Sequence, residues 1–439
     1  MNYKDPGFGK GVSQGGTSST NPGNRPPSAF LRHLTYRNEG DIIRVPEKVS
    51  APYMIRDLAP LAQEVADSGK KVYWLNIGDP GLFGFLPPQE VTDAIAWAVK
   101  SRAYTGYPPS QGDPDLIDVL AKMEGVPKER ILVSAGLSEG ISFIIRTLVA
   151  PGEHMLLPGP GYSLYNSCDA DESQILESSN FYAMGEGMQP DPDDICRKIS
   201  ERTKGLVVIN PNNPAGAVYD GRTLQFIAEI AKEARIPIFS DEIYNMLVLD
   251  GSKAASIIEY AGGHPVIVGN GISKNFFYPG ARVGYLAVHG DVSDGMLKMI
   301  SSNVAKANKR LATNWEMQRG ALAAYTMPRE RLATYRAEQL RELRLRRDIV
   351  VDGLSKIPGI TLYCPEAAFY AFARVESERF ENDLEFTKAL LKETGVFVIP
   401  GCGFSPGLPG KYFRLVFLAP PDELREAIAK IAEFMRAHS

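Results

Sequence analysis

Polar side chains at or near the ends of apolar runs carry the chemistry this chain can perform. Lys274 stands in Gly-Asn-Gly-Ile-Ser-Lys-Asn-Phe-Phe-Tyr-Pro-Gly-Ala-Arg-Val-Gly-Tyr (269–285), just after Val266-Ile267-Val268. An amine between apolar runs loses hydration, which lowers its pKa and suits it to carbonyl chemistry through a Schiff base. A lone lysine is ordinarily a surface charge; this one is set apart by its apolar flanks and the loop of aromatic residues, proline and glycine behind it. Arg282 follows eight positions later, and Ser134-Ala-Gly-Leu-Ser138 marks a strand-to-helix junction. A cation and the N–H groups of a helix start form an anion cup, which makes Gly136, Leu137, Ser138, Ser273 and Arg282 candidates for holding a phosphate. Upstream, Ile-Pro-Ile-Phe-Ser runs straight into Asp241, with Tyr244 three residues on. An exposed turn is the competing reading for this acid; the apolar approach favours a strand-end site.

Three further residues complete the candidates. Asn213 lies in Asn210-Pro-Asn-Asn-Pro-Ala-Gly216, where the backbone must turn sharply and Pro214 is a candidate for a cis bond. Tyr162 follows a strand and a tight turn in Pro158-Gly-Pro-Gly-Tyr-Ser-Leu-Tyr165; its ring face suits a planar ligand, and core packing competes nearly equally. Arg414 is the one cation in the apolar run Tyr-Phe-Arg-Leu-Val-Phe (412–417). A buried guanidinium needs an anion, either an internal acid or a ligand carboxylate gripped at two points.

These residues need a scaffold that gathers strand ends. A helix is predicted over 54–68 and a strand over 72–77; further apolar, strand-like runs are predicted at 131–133, 154–157, 205–210, 236–240, 266–269 and 282–288, with helices such as 138–149 and 224–233 between several of them. Continuous rather than alternating apolar runs fit a sheet covered on both faces, and the βαβ alternation fits a doubly wound, mostly parallel α/β sheet. Ligands then bind beyond the carboxyl ends of the strands, where Asn213, Asp241 and Lys274 fall. After about residue 317 the pattern changes to a long charged helix (329–354), short strands and a final helix (421–437), a smaller α+β domain. The expected division is a Gly/Ser/Pro-rich disordered tail over 1–45, a first part of the small domain over 46–80, a large domain over 81–316 and the rest of the small domain over 317–439. The cluster Arg341, Arg344, Arg346 and Arg347, interleaved with acids, reads as a solvated helix face.

Composition narrows the function classes. The chain has 439 residues, 44% hydrophobic, with a formal net charge of -4, which gives no electrostatic reason to expect nucleic acid. Four cysteines without CxxC spacing argue for reduced thiols and against a zinc site; the five histidines hold no HxxxH pair, so no metal is expected. No apolar run approaches the ~20 residues that cross a bilayer, and no secretory leader is evident, so a cytoplasmic protein without a membrane partner is expected.

From about residue 49 onward the motifs together resemble the fold-type I, class I aminotransferases, and within them the alanine and tyrosine aminotransferase-like branch. The resemblance rests on Leu-Asn-Ile-Gly-Asp-Pro (75–80) with Phe83-Gly-Phe85, on Asn270-Gly-Ile-Ser-Lys274, and on Arg310-Leu-Ala-Thr-Asn314 with Gln318. It implies pyridoxal 5'-phosphate as cofactor, with Lys274 as the Schiff-base lysine that later moves the proton between substrate Cα and cofactor. Asp241 would hold the pyridine nitrogen protonated so that the ring acts as an electron sink, and Tyr244 and Asn213 would reach the ring's 3′ oxygen. Tyr162 would stack on the ring; Arg414, Asn213 and the backbone at Gly78 would take the substrate α-carboxylate. Tyr107, in Tyr107-Pro-Pro-Ser-Gln-Gly112, would reach the phosphate of a partner subunit, implying a homodimer with shared sites. Tyr53 and Arg56 are candidates for a lid. Gly271 stands where many relatives carry serine, Ala281 replaces an aromatic residue and Ala367 a glycine, and no second arginine is assigned to a dicarboxylate side chain.

The expected reaction is ping-pong transfer from an alanine-like or broad range of L-amino acids to a 2-oxo acid such as 2-oxoglutarate. A β-eliminating C–S lyase would use the same constellation, and a non-enzymatic regulator that binds the cofactor is a third possibility. A nicotinamide-dependent dehydrogenase finds no GxGxxG after a predicted strand.

Overall fold

The apolar runs in the middle of the chain assemble into one seven-stranded sheet. The structure, a computed structural model, describes residues 54–173, 180–293 and 312–438, with the side chains of residues 55 and 56 not included. The expected tail, Tyr53 and the Arg56 side chain lie outside the described residues. After β1 (Tyr73–Trp74), the main sheet comprises β2 (Ile131–Ser134), β3 (His154–Gly159), β4 (Phe181–Ala183), β5 (Thr203–Ile209), β6 (Ile238–Asp241), β7 (Val266–Gly271) and β8 (Gly284–His289), in the order β2-β8-β7-β6-β5-β3-β4. Every residue of β3, β6, β7 and β8 is buried, as a sheet covered on both faces requires. The helix Leu137–Leu148 buries Ile141, Ile144 and Ile145, and the helix Gly221–Ala234 buries Leu224, Ile227 and Ala231, the i, i+3, i+4 and i+7 spacings of an inward face. The second helix starts where the Asp220 carboxylate accepts from the Thr223 N–H and ends at Arg235 in the left-handed region.

Neighbours β4 to β7 pair in parallel, while β8 runs antiparallel to both β7 and β2. That reversal matters for the site. Because β8 is antiparallel, its first residue, Gly284, lies beside Ser134 and Gly271, at the edge where the parallel strands end. The residues just before β8 are thereby delivered to the same edge as those just after β2, β5, β6 and β7.

The C-terminal third forms an antiparallel sheet of β9 (Ile360–Leu362), β10 (Tyr370–Val375), β12 (Ile399–Pro400) and β13 (Lys411–Val416), in the order β12-β13-β10-β9. β11 (Val396–Phe397) pairs in parallel with β1, and the Val416 N–H donates to Leu75 O at 2.9 Å. The first described segment is thus stitched into the C-terminal sheet.

Several sequence expectations change in detail. The stretch expected to be one helix over 54–68 is two helices, Met54–Asp57 and Ala59–Asp67. The strand expected over 72–77 keeps only Tyr73–Trp74, which frees residues 75–79 to run along the site. The strand expected from 282 begins at 284, because Arg282 sits in the left-handed region (φ 53°) after the turn Pro279–Ala281. The arginine cluster is a solvated face only in part: Arg341 is exposed and Arg347 pairs with Asp348, but Arg346 is buried and donates to Leu418 O, and Arg344 donates to Leu249 O at 2.8 Å.

Candidate active site

Residues at the collected strand ends enclose a cavity of about 410 Å³. Lys274 lies in the short helix Ile272–Asn275 that follows β7. Its neighbour Asn275 fixes that turn: the Asn275 amide donates to Asn245 Oδ1 (2.9 Å) and Asn270 Oδ1 (3.1 Å), and its carbonyl oxygen accepts from the Met246 N–H (3.1 Å). The lysine Nζ crosses the cavity and donates to Gly78 O at 2.7 Å. Burial in the cavity wall lowers its pKa to about 8; the Asp79 charge opposes that shift, and Arg414 and Arg282 add to it. An amine so placed is deprotonated at a pH where an ordinary lysine is not.

Asp241 ends β6 and is almost wholly buried. Its Oδ2 accepts from the Tyr165 hydroxyl at 2.9 Å and its Oδ1 from the Ile243 N–H at 3.1 Å. Burial pushes its pKa up to about 6, against the pull of these two hydrogen bonds. A carboxylate held at the cavity wall at this cost gains most from a cationic ligand. Tyr244 shares a hydrogen bond of 2.8 Å with the Tyr370 hydroxyl, and both line the cavity.

At another part of the wall, Arg282 donates to Pro279 O (3.1 Å) and Ala135 O (3.2 Å), beside the start of the helix Leu137–Leu148. That helix begins at Gly136 without a side-chain cap, and Leu137, Ser138, Ser273 and Arg282 line the cavity. Gly136 has φ +75°, and a Cβ there would lie 2.3 Å from the Arg282 guanidinium, so this turn requires glycine. Gly271 is similarly constrained: a Cβ would meet Val283 O at 2.7 Å and Gly284 Cα at 2.8 Å. The serine of many relatives therefore cannot be accommodated here without a backbone shift.

Arg414, on β13, is buried and donates to Asn213 Oδ1 at 3.0 Å and Asn76 O at 2.6 Å. Its guanidinium carbon lies 4.5 Å from the Tyr370 ring centre and 4.8 Å from that of Phe404. The Asn213–Pro214 bond is cis. Gly78 and Tyr162 also line the cavity. Tyr107 does not; it is 78% exposed, and its carbonyl accepts from the Tyr104 hydroxyl. Sequence reasoning missed Tyr165, Tyr370 and Asp79. The last two line the cavity and Tyr165 reaches Asp241, yet each is separated in sequence from the residues it serves.

An anion cup of Arg282 and uncapped helix N–H groups, a buried carboxylate and an amine of lowered pKa bordering one cavity match the three ends of pyridoxal phosphate: phosphate, ring nitrogen and aldehyde. The residues fit the cofactor. Fold and donor set together define a fold-type I pyridoxal phosphate enzyme.

The chain belongs to the class I and II aminotransferases, whose family model matches residues 70–431. It is similar to mouse tyrosine aminotransferase, 32% identical over 381 residues that cover 84% of this chain and 82% of that protein. It is also similar to the glutamate-pyruvate aminotransferase AlaA of Escherichia coli K12, 30% identical over 86% of this chain and 93% of the relative. Among solved structures, the alanine aminotransferase of Pyrococcus furiosus superposes with a TM-score of 0.82 at 36% identity, covering 88% of this chain and 98% of that one. The protein is a pyridoxal phosphate-dependent aminotransferase acting on amino acids and 2-oxo acids. The lyase and regulator readings gain no support from these relatives.

Proposed function

We propose that this aminotransferase uses a neutral, alanine-like or broad range of L-amino acid donors and a 2-oxo acid such as 2-oxoglutarate as acceptor. The charge of the cavity carries this reading. Its lining includes Lys274, Arg282 and Arg414 as cations, with no other among the described residues. With two of these serving the cofactor and Arg414 the α-carboxylate, no lining cation is dedicated to an acidic side chain, so donors are not selected for one and 2-oxoglutarate is held through its α-carboxylate. The alanine aminotransferase of Pyrococcus furiosus supports an alanine-like donor, and the glutamate-pyruvate aminotransferase of Escherichia coli supports its pairing with a 2-oxoglutarate-type partner.

When bound, pyridoxal phosphate supplies an aldehyde carbon for covalent attachment and a ring that accepts an electron pair from the substrate. Lys274 Nζ anchors the cofactor and, once released, moves the proton at the substrate Cα. Asp241 holds the ring-nitrogen proton; Tyr244 and Asn213 hold the ring's 3′ oxygen, and Tyr162 covers a ring face. Gly136, Leu137, Ser138, Ser273 and Arg282 hold the phosphate. Arg414, Asn213 and the Gly78 backbone orient the substrate so that its Cα hydrogen faces the lysine.

Absorbance titration of the loaded protein with L-alanine, L-glutamate, L-tyrosine and L-aspartate tests the donor reading. L-Alanine should bleach the visible band, 2-oxoglutarate should restore it, and L-aspartate should act most weakly. An inert L-alanine with a strong response to L-aspartate would sink the proposal. The phosphate cup has its own check. Gly136→Ala forces an alanine into φ 75°, ψ 160° against Arg282, a region essentially confined to glycine and costing roughly 1–3 kcal/mol, and should weaken cofactor retention on dialysis about tenfold. Unchanged retention would remove Gly136 from the cup.

Tyr107 supports a homodimer with shared sites, since it lies open to a partner rather than in its own cavity. Leu82, Leu86 and Trp97 are exposed as well, apolar surface that a second copy would cover. Residues 81–316 are read as the large domain, with 46–80 and 317–439 forming the small one. Four free cysteines support a reducing, cytoplasmic setting.

A further inference from the structure

Tyr370 touches two parts of the site that are otherwise separate. Its hydroxyl lies 2.8 Å from the Tyr244 hydroxyl, and its ring faces the Arg414 guanidinium at 4.5 Å. It is buried at the head of β10, in register with Val416, so its position is set by the antiparallel ladder rather than by a loop. A Cβ on Gly78 would lie 2.5 Å from its hydroxyl oxygen, which shows how closely the 75–79 segment is fitted over it.

We propose that Tyr370 is a positioning residue with two separable functions, its hydroxyl orienting Tyr244 and its ring holding Arg414. This rests on the roles proposed above for Tyr244 and Arg414. Two hydroxyls that share one hydrogen bond have two protons, and only one lies between the oxygens. With Tyr370 as donor, the Tyr244 proton is left to point into the cavity, and the accepted bond strengthens Tyr244 as a donor. The ring acts independently. Arg414 lies over both the Tyr370 and the Phe404 ring, and a guanidinium held on two aromatic faces keeps its plane fixed for a two-point carboxylate grip.

The two functions separate in substitution. Tyr370→Phe keeps the ring and removes the hydroxyl. The pH midpoint of the visible absorbance of the loaded protein should rise by about one unit, the size one hydrogen bond supplies, in the same direction as Tyr244→Phe. KM for L-alanine and for the 2-oxo acid should stay within about twofold. Tyr370→Leu removes the ring, and KM for both substrates should rise about tenfold or more, as loss of a desolvated cation–π contact predicts. Phe404→Leu removes the other ring without touching Tyr244, so it should raise KM and leave the absorbance midpoint alone. It also provides the ring test should Tyr370→Leu fold poorly. Equilibrium binding of propionate, an unreactive carboxylate, should weaken in both leucine variants and not in Tyr370→Phe.

A midpoint unmoved in Tyr370→Phe while Tyr244→Phe moves it would overturn the hydroxyl function. Unchanged propionate binding in Phe404→Leu and Tyr370→Leu would overturn the ring function. If Tyr244→Phe itself leaves the midpoint in place, the role given to Tyr244 fails first, and the hydroxyl function of Tyr370 falls with it.

Discussion

Lys274→Ala is expected to abolish transamination, with turnover falling roughly 10⁴-fold or more, while the protein remains folded. The expectation follows from what the side chain touches. Its Nζ is held over the cavity by Gly78 O, and its burial makes a neutral amine accessible near pH 8. Among the described residues no other lysine lines the cavity to supply a substitute amine. Lys274→Arg separates charge from chemistry: the guanidinium keeps the positive charge but cannot be deprotonated in water, so it should be as inactive as alanine. Single-turnover pyruvate release from L-alanine measures both variants, and circular dichroism confirms the fold. An active Lys274→Ala would remove the lysine from the reaction altogether; an active Lys274→Arg would show that charge, not nucleophilicity, is its contribution.

The arrangement behind that expectation was partly legible in the residues. Lys274, Asp241, Asn213 and the turn at 136–138 each follow an apolar run, and a parallel sheet brings such run ends to one edge whatever their spacing in sequence. Arg282 reaches the edge for the opposite reason, because β8 runs backwards. An apolar run looks the same in either direction, so hydrophobicity could not show that reversal. The missed contacts share a different cause. Tyr165 meets Asp241 across 76 positions, and Tyr370 meets Tyr244 across 126. Those pairings depend on strand order and on how the C-terminal sheet docks, neither of which leaves a local pattern. The arginines of the long helix Arg329–Ser355 show the same limit in part: Arg346 pairs with Glu342 and Arg347 with Asp348, as the interleaved acids imply, but Arg344 and Arg346 also donate to Leu249 O and Leu418 O, which the helix sequence does not encode. Local alternation of charges therefore predicted solvent where tertiary structure provides acceptors.

Asp241→Asn tests the opposite end of the cavity, and its effect should appear in two measurements. The first is turnover. A buried carboxylate facing a ring-nitrogen proton is a charge pair, and removing one member of such a pair costs about 3–5 kcal/mol, a loss of about 10²–10⁴-fold in the single-turnover rate. The amide keeps the size: its one oxygen can still accept from the Ile243 N–H, while its NH2 can only donate to the Tyr165 hydroxyl oxygen, so the loss reports the charge together with that one reversed bond. The second is stability of the cofactor-free protein against pH. Burial raises the Asp241 pKa from its ordinary 3.8 to about 6, so the folded state binds a proton more tightly than the unfolded chain. Its stabilising contribution is complete below about pH 4 and is lost as pH rises through about 6, a swing of about 3 kcal/mol. Asp169 and Glu242 are also buried acids raised to about 7, so the wild-type curve alone mixes three groups. They are present in wild type and variant alike, and the difference between the two curves isolates Asp241. Denaturant titrations of both cofactor-free proteins between pH 4 and 7 should therefore diverge, the wild type losing stability relative to Asp241→Asn as pH rises. Parallel curves would mean that water or a neighbouring donor already solvates the carboxylate, and that its charge carries no strain for a cationic ring to relieve. Divergence in the cofactor-free protein that vanishes on loading would show that the ring-nitrogen proton neutralises the strain built into the end of β6.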